Sequence, residues 1–254
     1  MEKEENIRQY YRALYRAWGA QHWWPAETRF EVIVGAYLTQ NTAWKNVELA
    51  LANLREANVL SVEAVRGVPI RKLERLIRPS GYFRQKAQRL KTFVAFLDKE
   101  YGGSLDRLFE QPTGKLREQL LSLNGVGPET ADSILLYAGS HPVFVVDAYT
   151  RRILDRHGIL PVTAEYEDVR QLFERALGPV AHEQEQTLKT APQIEPGSRG
   201  ASHPPSAMST AARTPLVQVY NEMHGLIVGV GKHYCGKSKP VCEECPLRPF
   251  LPAG

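Results

Sequence analysis

Residues 123–152 read LNGVGPETADSILLYAGSHPVFVVDAYTRR, and this stretch decides the fold. Residues 116–121 before it carry apolar side chains at helical spacing, and Asn124-Gly125-Val126-Gly127 breaks that helix. Pro128 suits the first turn of a following helix, where its missing N–H costs nothing. Two short helices joined by Gly-hydrophobic-Gly make a helix-hairpin-helix. Gly125 and Gly127 let the backbone turn tightly and approach another molecule closely. The N–H groups that open the second helix, around Glu129 and Thr130, then face outward and can hold a phosphate. Such a contact grips a nucleic-acid backbone and reads no base. An ordinary connection between two helices has the same pattern, so the flanks have to decide.

Working outward, helical spacing recurs at 4–18, 29–39, 44–56, 61–66, 70–77, 83–101, 104–109, 115–122, 128–138, 148–157, 165–177 and 215–229. In 83–101, for instance, Phe83, Ala87, Leu90, Phe93, Val94 and Leu97 share one face. Only Val143–Val146 reads as extended, too short to found a sheet, so the fold class is all-α. Residues 183–215 hold five prolines among Ser, Thr, Ala and Gly, too few apolar groups to offset ordering, and read as a disordered insert within a domain.

The 254 residues are 43% hydrophobic and 24% charged, the balance of a soluble globular chain long enough for a large core. No apolar run reaches the ~18 residues of a membrane span. The charged start MEKEENIRQYYR predicts no export signal. A net charge of +4 and a pI of 8.9 suit a polyanionic partner without requiring one. All three cysteines fall within eleven residues near the end, a pattern of metal ligands more than of disulfides.

Asp147 ends the apolar run Val143-Phe144-Val145-Val146 and precedes a helix, where Asp is a good N-cap. At this point the chain resembles a family. G-V-G-x-x-T-A followed by V-D-x-x-x-x-R is similar to the helix-hairpin-helix, Gly/Pro, Asp superfamily of DNA glycosylases, the group that contains endonuclease III. The resemblance implies that Asp147 stabilises positive charge on the deoxyribose as the base leaves and helps position the nucleophile. A carboxylate can cap a helix and still face a cationic transition state. In bifunctional members a lysine eighteen residues before the aspartate attacks C1′ of the sugar. That position is Glu129 here, and a carboxylate forms no Schiff base. The resemblance thus implies a monofunctional glycosylase that uses water and leaves the abasic site uncut.

The N-terminal half narrows the expectation. His22-Trp23-Trp24-Pro25, L-T-Q-N-T at 38–42, Trp44, R-P-S-G-Y-F-R-Q-K-A at 78–87 and the hairpin run together resemble 3-methyladenine DNA glycosylase of the type III branch, over about 20–175 and 216–235. A glycosylase flips its base out of the duplex. A cationic alkylated purine then suits electron-rich rings, at ~0.5–2 kcal/mol of cation–π attraction each. Trp23, Trp24 and Pro25, with Trp44 where the branch usually has Phe, become the expected base pocket, and Lys232 joins them by resemblance. Core packing is the other reading of the tryptophans. Consecutive residues cannot both face one core, so at least one of Trp23 and Trp24 is expected on another surface. Gln40 and Asn41 either fill the gap left by the flipped base, as the resemblance implies, or simply end a helix. Lys232 is either at the pocket or solvated.

Cys235-x6-Cys242-x2-Cys245 matches the first three ligands of the endonuclease III [4Fe–4S] loop, but the fourth position holds Leu251. Cluster ligation uses four thiolates. The alternatives are a cluster with another fourth ligand, a zinc site completed by His233, or no metal, the cluster being preferred.

The expected architecture is a two-lobed fold with the DNA cleft between the lobes. One lobe is a helical barrel over 28–138, the other combines 1–27 with 139–234, and a Cys-rich loop covers 235–254. The expected partner is double-stranded DNA with a damaged base, bound by a monomer in the cytoplasm, at the nucleoid. The rival expectations are a glycosylase for another lesion or mismatch, and a non-catalytic damage-binding protein.

Overall fold

The structure is a computed structural model that describes residues 2–187 and 204–252. Its helices are α1 (Glu2–Trp18), α2 (Arg29–Thr39), α3 (Trp44–Glu56), α4 (Val62–Gly67), α5 (Ile70–Leu76), α6 (Phe83–Tyr101), α7 (Leu105–Phe109), α8 (Thr113–Leu121), α9 (Pro128–Ser133), α10 (Ala148–Arg156), α11 (Tyr166–Thr187) and α12 (Pro215–His233). Short 3₁₀ turns lie at Arg78–Ser80 and Arg248–Phe250, and α9 runs on through a π-helical turn, Ile134–Ala138. There is no strand among the described residues, and no described helix is long and apolar enough to cross a membrane. The chain divides into two compact units, one of Ala26–Gly139 and one of Met1–Pro25 with Ser140–Gly254.

In the Ala26–Gly139 unit α2 is the central helix. Every residue from Phe30 to Leu38 is buried, as an all-round apolar helix requires, and α3, α6, α9 and the π turn pack on it. Thr28 caps its start by accepting from Glu31 N at 3.1 Å. At its other end Lys86 is buried and donates to Leu38 O (2.9 Å) and Ser80 O (2.7 Å), and burial lowers the pKa of its ammonium to about 8. The two helices of the hairpin are clamped by a fork. Arg117 donates from Nε to Asp132 Oδ1 (2.7 Å) and from an Nη to Oδ2 (3.1 Å), with Asp132 fully buried.

In the other unit α12 is the central helix, packed on α1, α10 and α11. The Val143–Val146 segment crosses the core without a β partner. Side chains satisfy its backbone instead: Phe144 N donates to Glu174 Oε1 (3.0 Å) and Val146 N to the Tyr166 hydroxyl (3.3 Å).

Two helix ends differ from the expectation. Gly178-Pro179 suggests a stop at 177, yet α11 continues over Pro179. An interior proline costs about 3 kcal/mol, and burial of Val180 and Ala181 just beyond it offsets that. α12 runs past 229 to His233 because Gly231 lies directly against Tyr149. A Cβ at Gly231 would sit 2.1 Å from Tyr149 Cδ1, so only glycine lets the last turn form there. Of the insert read at 183–215, residues 188–203 lie outside the described residues. Its first five residues belong to α11, and Arg213 near its end donates to Ser209 O at 3.2 Å.

Candidate active site

Asp147 sits at the N-cap of α10 in a full capping box. Its Oδ1 accepts from Thr150 N (2.7 Å) and from the Thr150 hydroxyl (2.8 Å). The cap therefore occupies one carboxylate oxygen and leaves Oδ2 for other work. The side chain is 13% exposed, and His224 Nε2 on α12 lies 3.6 Å from Oδ2.

α12 also carries the wall behind the Trp pair. Gly225 lets the 21–23 segment lie against the helix, for a Cβ there would be 3.0 Å from Gln21 Cβ and 3.1 Å from Trp23 Cβ. Glu222, two residues before His224, is buried and accepts from Gln21 N (2.5 Å) and Gln218 Nε2 (2.7 Å). Burial pushes its carboxyl up to about 7, against the pull of those donors and of Arg213. Trp23 and Trp24 are both buried, at 5% exposure each, with ring centroids 5.6 Å apart in an edge-to-face pair. The segment that carries them is irregular chain, and Trp23 lies against α12. Pro25 next to them is half-buried. Lys232 is exposed, and its Nζ lies 5.7 Å from the Trp23 ring centroid, so the structure brings these two together.

The Ala26–Gly139 unit holds the other expected residues. Gly125 turns at φ +79° and Val126 is buried between it and Gly127, which caps α9 ahead of Pro128. Glu129 is exposed on the first turn of α9, whereas Thr130 is only 7% exposed. Gln40 at the end of α2 is tied to this turn: its Nε2 donates to Gly125 O and to the Thr130 hydroxyl, both at 2.9 Å, and Arg89 donates to its Oε1 at 2.5 Å. Gln40 and Asn41, read together from the sequence, therefore differ in place. Gln40 braces the hairpin, and Asn41 is exposed in a left-handed conformation, φ +52°. Trp44 opens α3 and is half-buried. Sequence reasoning missed Arg89, and also Tyr82, which is 66% exposed at φ +44° just ahead of α6. An aromatic residue after Ser-Gly, ahead of the basic start of α6, was the available signal.

Cys235, Cys242 and Cys245 line one cavity with Arg156, His157, Tyr234, Arg248 and Leu251. Arg156 donates to Cys235 Sγ at 3.1 Å and to Gly236 O at 2.8 Å, and burial pushes the Cys245 thiol up. The set is one thiolate short of a four-thiolate cluster. Among the described residues no three of His, Cys, Asp and Glu converge to hold a metal ion. The residues present do not fit the cluster, and no chemistry is assigned to it here. His233 is exposed and absent from the cavity lining, so it does not complete a zinc site; His157 is the histidine at this wall.

Residues 34–179 match the family described as HhH-GPD superfamily base excision DNA repair protein. A Methanocaldococcus jannaschii protein named "Putative DNA repair glycosylase MJ1434" is 40% identical over 249 residues, 98% of this chain and 96% of that one. The Helicobacter pylori 3-methyladenine DNA glycosylase MagIII, solved with 1,N6-ethenoadenine, superposes with a TM-score of 0.70 at 28% identity, over 91% of this chain and 97% of that one. An endonuclease III–DNA complex superposes with a TM-score of 0.69 at 20% identity over 98% and 95%, a likeness of fold. With a hairpin ahead of an aspartate N-cap, and these matches along nearly its whole length, the chain belongs to the HhH-GPD superfamily of base excision DNA repair proteins.

Proposed function

We propose that this protein is a monofunctional DNA glycosylase that removes alkylated purines of the 3-methyladenine type from double-stranded DNA. The observation that carries the reading is the geometry of Asp147. Its Oδ1 is consumed by the helix cap while Oδ2 takes no part in it, and the side chain is 13% exposed, so a negative charge can face a sugar that becomes cationic as the base leaves. Glu129 stands where a lyase of this family has its amine, so water adds at C1′ and no covalent enzyme–DNA adduct forms. Trp23 and Trp24, packed edge to face with Lys232 over Trp23, form one wall of the base pocket. Gly125, Val126 and Gly127 hold the DNA backbone. Asn41 enters the duplex, and Gln40 holds its turn in place. The H. pylori neighbour, with its ethenoadenine, supports a pocket for modified adenine.

The test is base release from methylated duplex DNA, wild type beside Asp147→Asn, with strand breaks counted before and after alkali. Wild type should free 3-methyladenine, the variant should be slower by about 100-fold or more, and breaks should appear only after alkali. Absence of release from every methylated base would overturn the substrate assignment. Breaks without alkali would overturn the monofunctional one.

A further inference from the structure

Among the buried polar groups outside the cap, His224 has the closest relation to the reacting centre. It lies on α12, its side chain is 6% exposed, and its Nε2 faces Asp147 Oδ2 at 3.6 Å. Its ring stands between Phe144, at 6.4 Å between centroids, and Trp23, at 6.3 Å. It therefore touches the segment that delivers Asp147 and the segment that delivers the Trp pair. Nothing in the sequence motifs assigns it a role.

The chemistry of the carboxylate says what such a neighbour does. Thr150 fixes Oδ1 through two donors, but a carboxylate held at one oxygen can still rock about its last bond, carrying Oδ2 with it. A donor on the far side limits that rocking. The donor has to be neutral, because a cation beside Oδ2 would cancel the negative charge that the transition state needs. Burial keeps the imidazole in that form: it lowers the pKa of His224, and the opposing pull of Asp147 is the smaller effect. Lysine or arginine at this place would supply the bond and remove the field.

We infer that His224 is a positioning residue that holds the free oxygen of Asp147 towards the sugar through its Nε2–H and ties the carboxylate to the Trp23 wall. This rests on the reading of Asp147 as the catalytic carboxylate. A gap of 3.6 Å is longer than a hydrogen bond, so the contact tightens when substrate draws Oδ2 into place.

The experiment measures single-turnover base release and substrate Kd on methylated duplex for wild type, H224L, H224Q and D147N, with the thermal midpoint of each. Leucine fills the volume without a donor, and glutamine places an N–H near the position of Nε2. H224L should be slower by about 10-fold or more at unchanged Kd and midpoint, and H224Q should recover most of the rate. If D147N is inactive while H224L keeps the wild-type rate, the inference fails and the glycosylase reading stands. Equal losses in H224L and H224Q that follow a lowered midpoint make His224 merely structural and also overturn it. If D147N and wild type behave alike, the reading of Asp147 fails and takes this inference with it. A readout independent of catalysis is the imidazole ¹⁵N spectrum of His224, which should shift in D147N; an unchanged spectrum denies the contact.

Discussion

In the hairpin, the exposed groups stand on backbone turns. Gly125 turns at φ +79°, Glu129 and Asn41 are exposed, and a short network of Gln40, Arg89 and Thr130 holds the loop from behind. In the middle of α12 the polar groups point inward. Asn221, Glu222 and His224 are all buried; Glu222 accepts from Gln21 N and His224 faces Asp147, both far away in sequence. On the proposed function, the hairpin presents and α12 positions. A turn needs particular residue types at fixed spacing, which is why its function reads as a motif. A buried polar group is explained only by the segment that folds onto it.

The sharpest way to break this comparison is to cut the clamp beneath the hairpin. Arg117→Ala leaves Asp132 as a fully buried carboxylate without its fork, and should cost about 3–5 kcal/mol in denaturant unfolding. A loss under 1 kcal/mol would mean that the hairpin is held by its turn alone.

The same contrast explains what the sequence made legible. Helix positions, the Asp147 cap and the Gly-Val-Gly turn are local, set by residue type within a few positions, and they could be read. Lys232 was reached through the family resemblance, and its place over Trp23 is a tertiary fact. The burial of both rings of the Trp pair could not be read, because an irregular segment does not alternate. Glu222 and His224 were not singled out. The signal that could have found them was the run MHGLIVGVG at 223–231: a helix without a solvent face must bury its polar residues, and each then needs a partner. Leu251 was visible from the start as a missing thiolate, but the Arg156 bond to Cys235 was not, since it joins residues 79 apart.

A second prediction tests α12 through pH. The folded pKa of Glu222, about 7, lies above the ordinary carboxylate value near 4.5. The folded state then binds more protons than the unfolded one between these values, so stability falls as pH rises through that window. Replacing Glu222 by Gln removes the titration. Measured against E222Q, wild type should lose ~3 kcal/mol of unfolding free energy between pH 4.5 and 7. A flat difference would show that Gln21 N and Gln218 hold the carboxylate charged and that burial does not dominate.

The smallest effects come from a pair of glycines, one in each region. At Gly231 a Cβ would meet Tyr149 at Cδ1, Cγ and Cβ, all within 2.8 Å, and a ring so close to its own backbone cannot swing aside cheaply. Gly231→Ala should cost about 1–3 kcal/mol. Because Tyr149 is two residues from Asp147 on the same helix start, the variant should also slow base release while DNA affinity holds. At Gly125 the three atoms nearest the Cβ all belong to the side chain of Arg89, Nε at 2.0 Å first, and a long side chain can move. The cost there is the left-handed backbone, about 1–2 kcal/mol for an alanine. Moving Arg89 frees Gln40, so Gly125→Ala should weaken binding to undamaged duplex and leave the single-turnover rate on saturating methylated substrate nearly unchanged. If instead Gly125→Ala slows the bound reaction and Gly231→Ala weakens binding, presenting and positioning are not divided between the hairpin and α12.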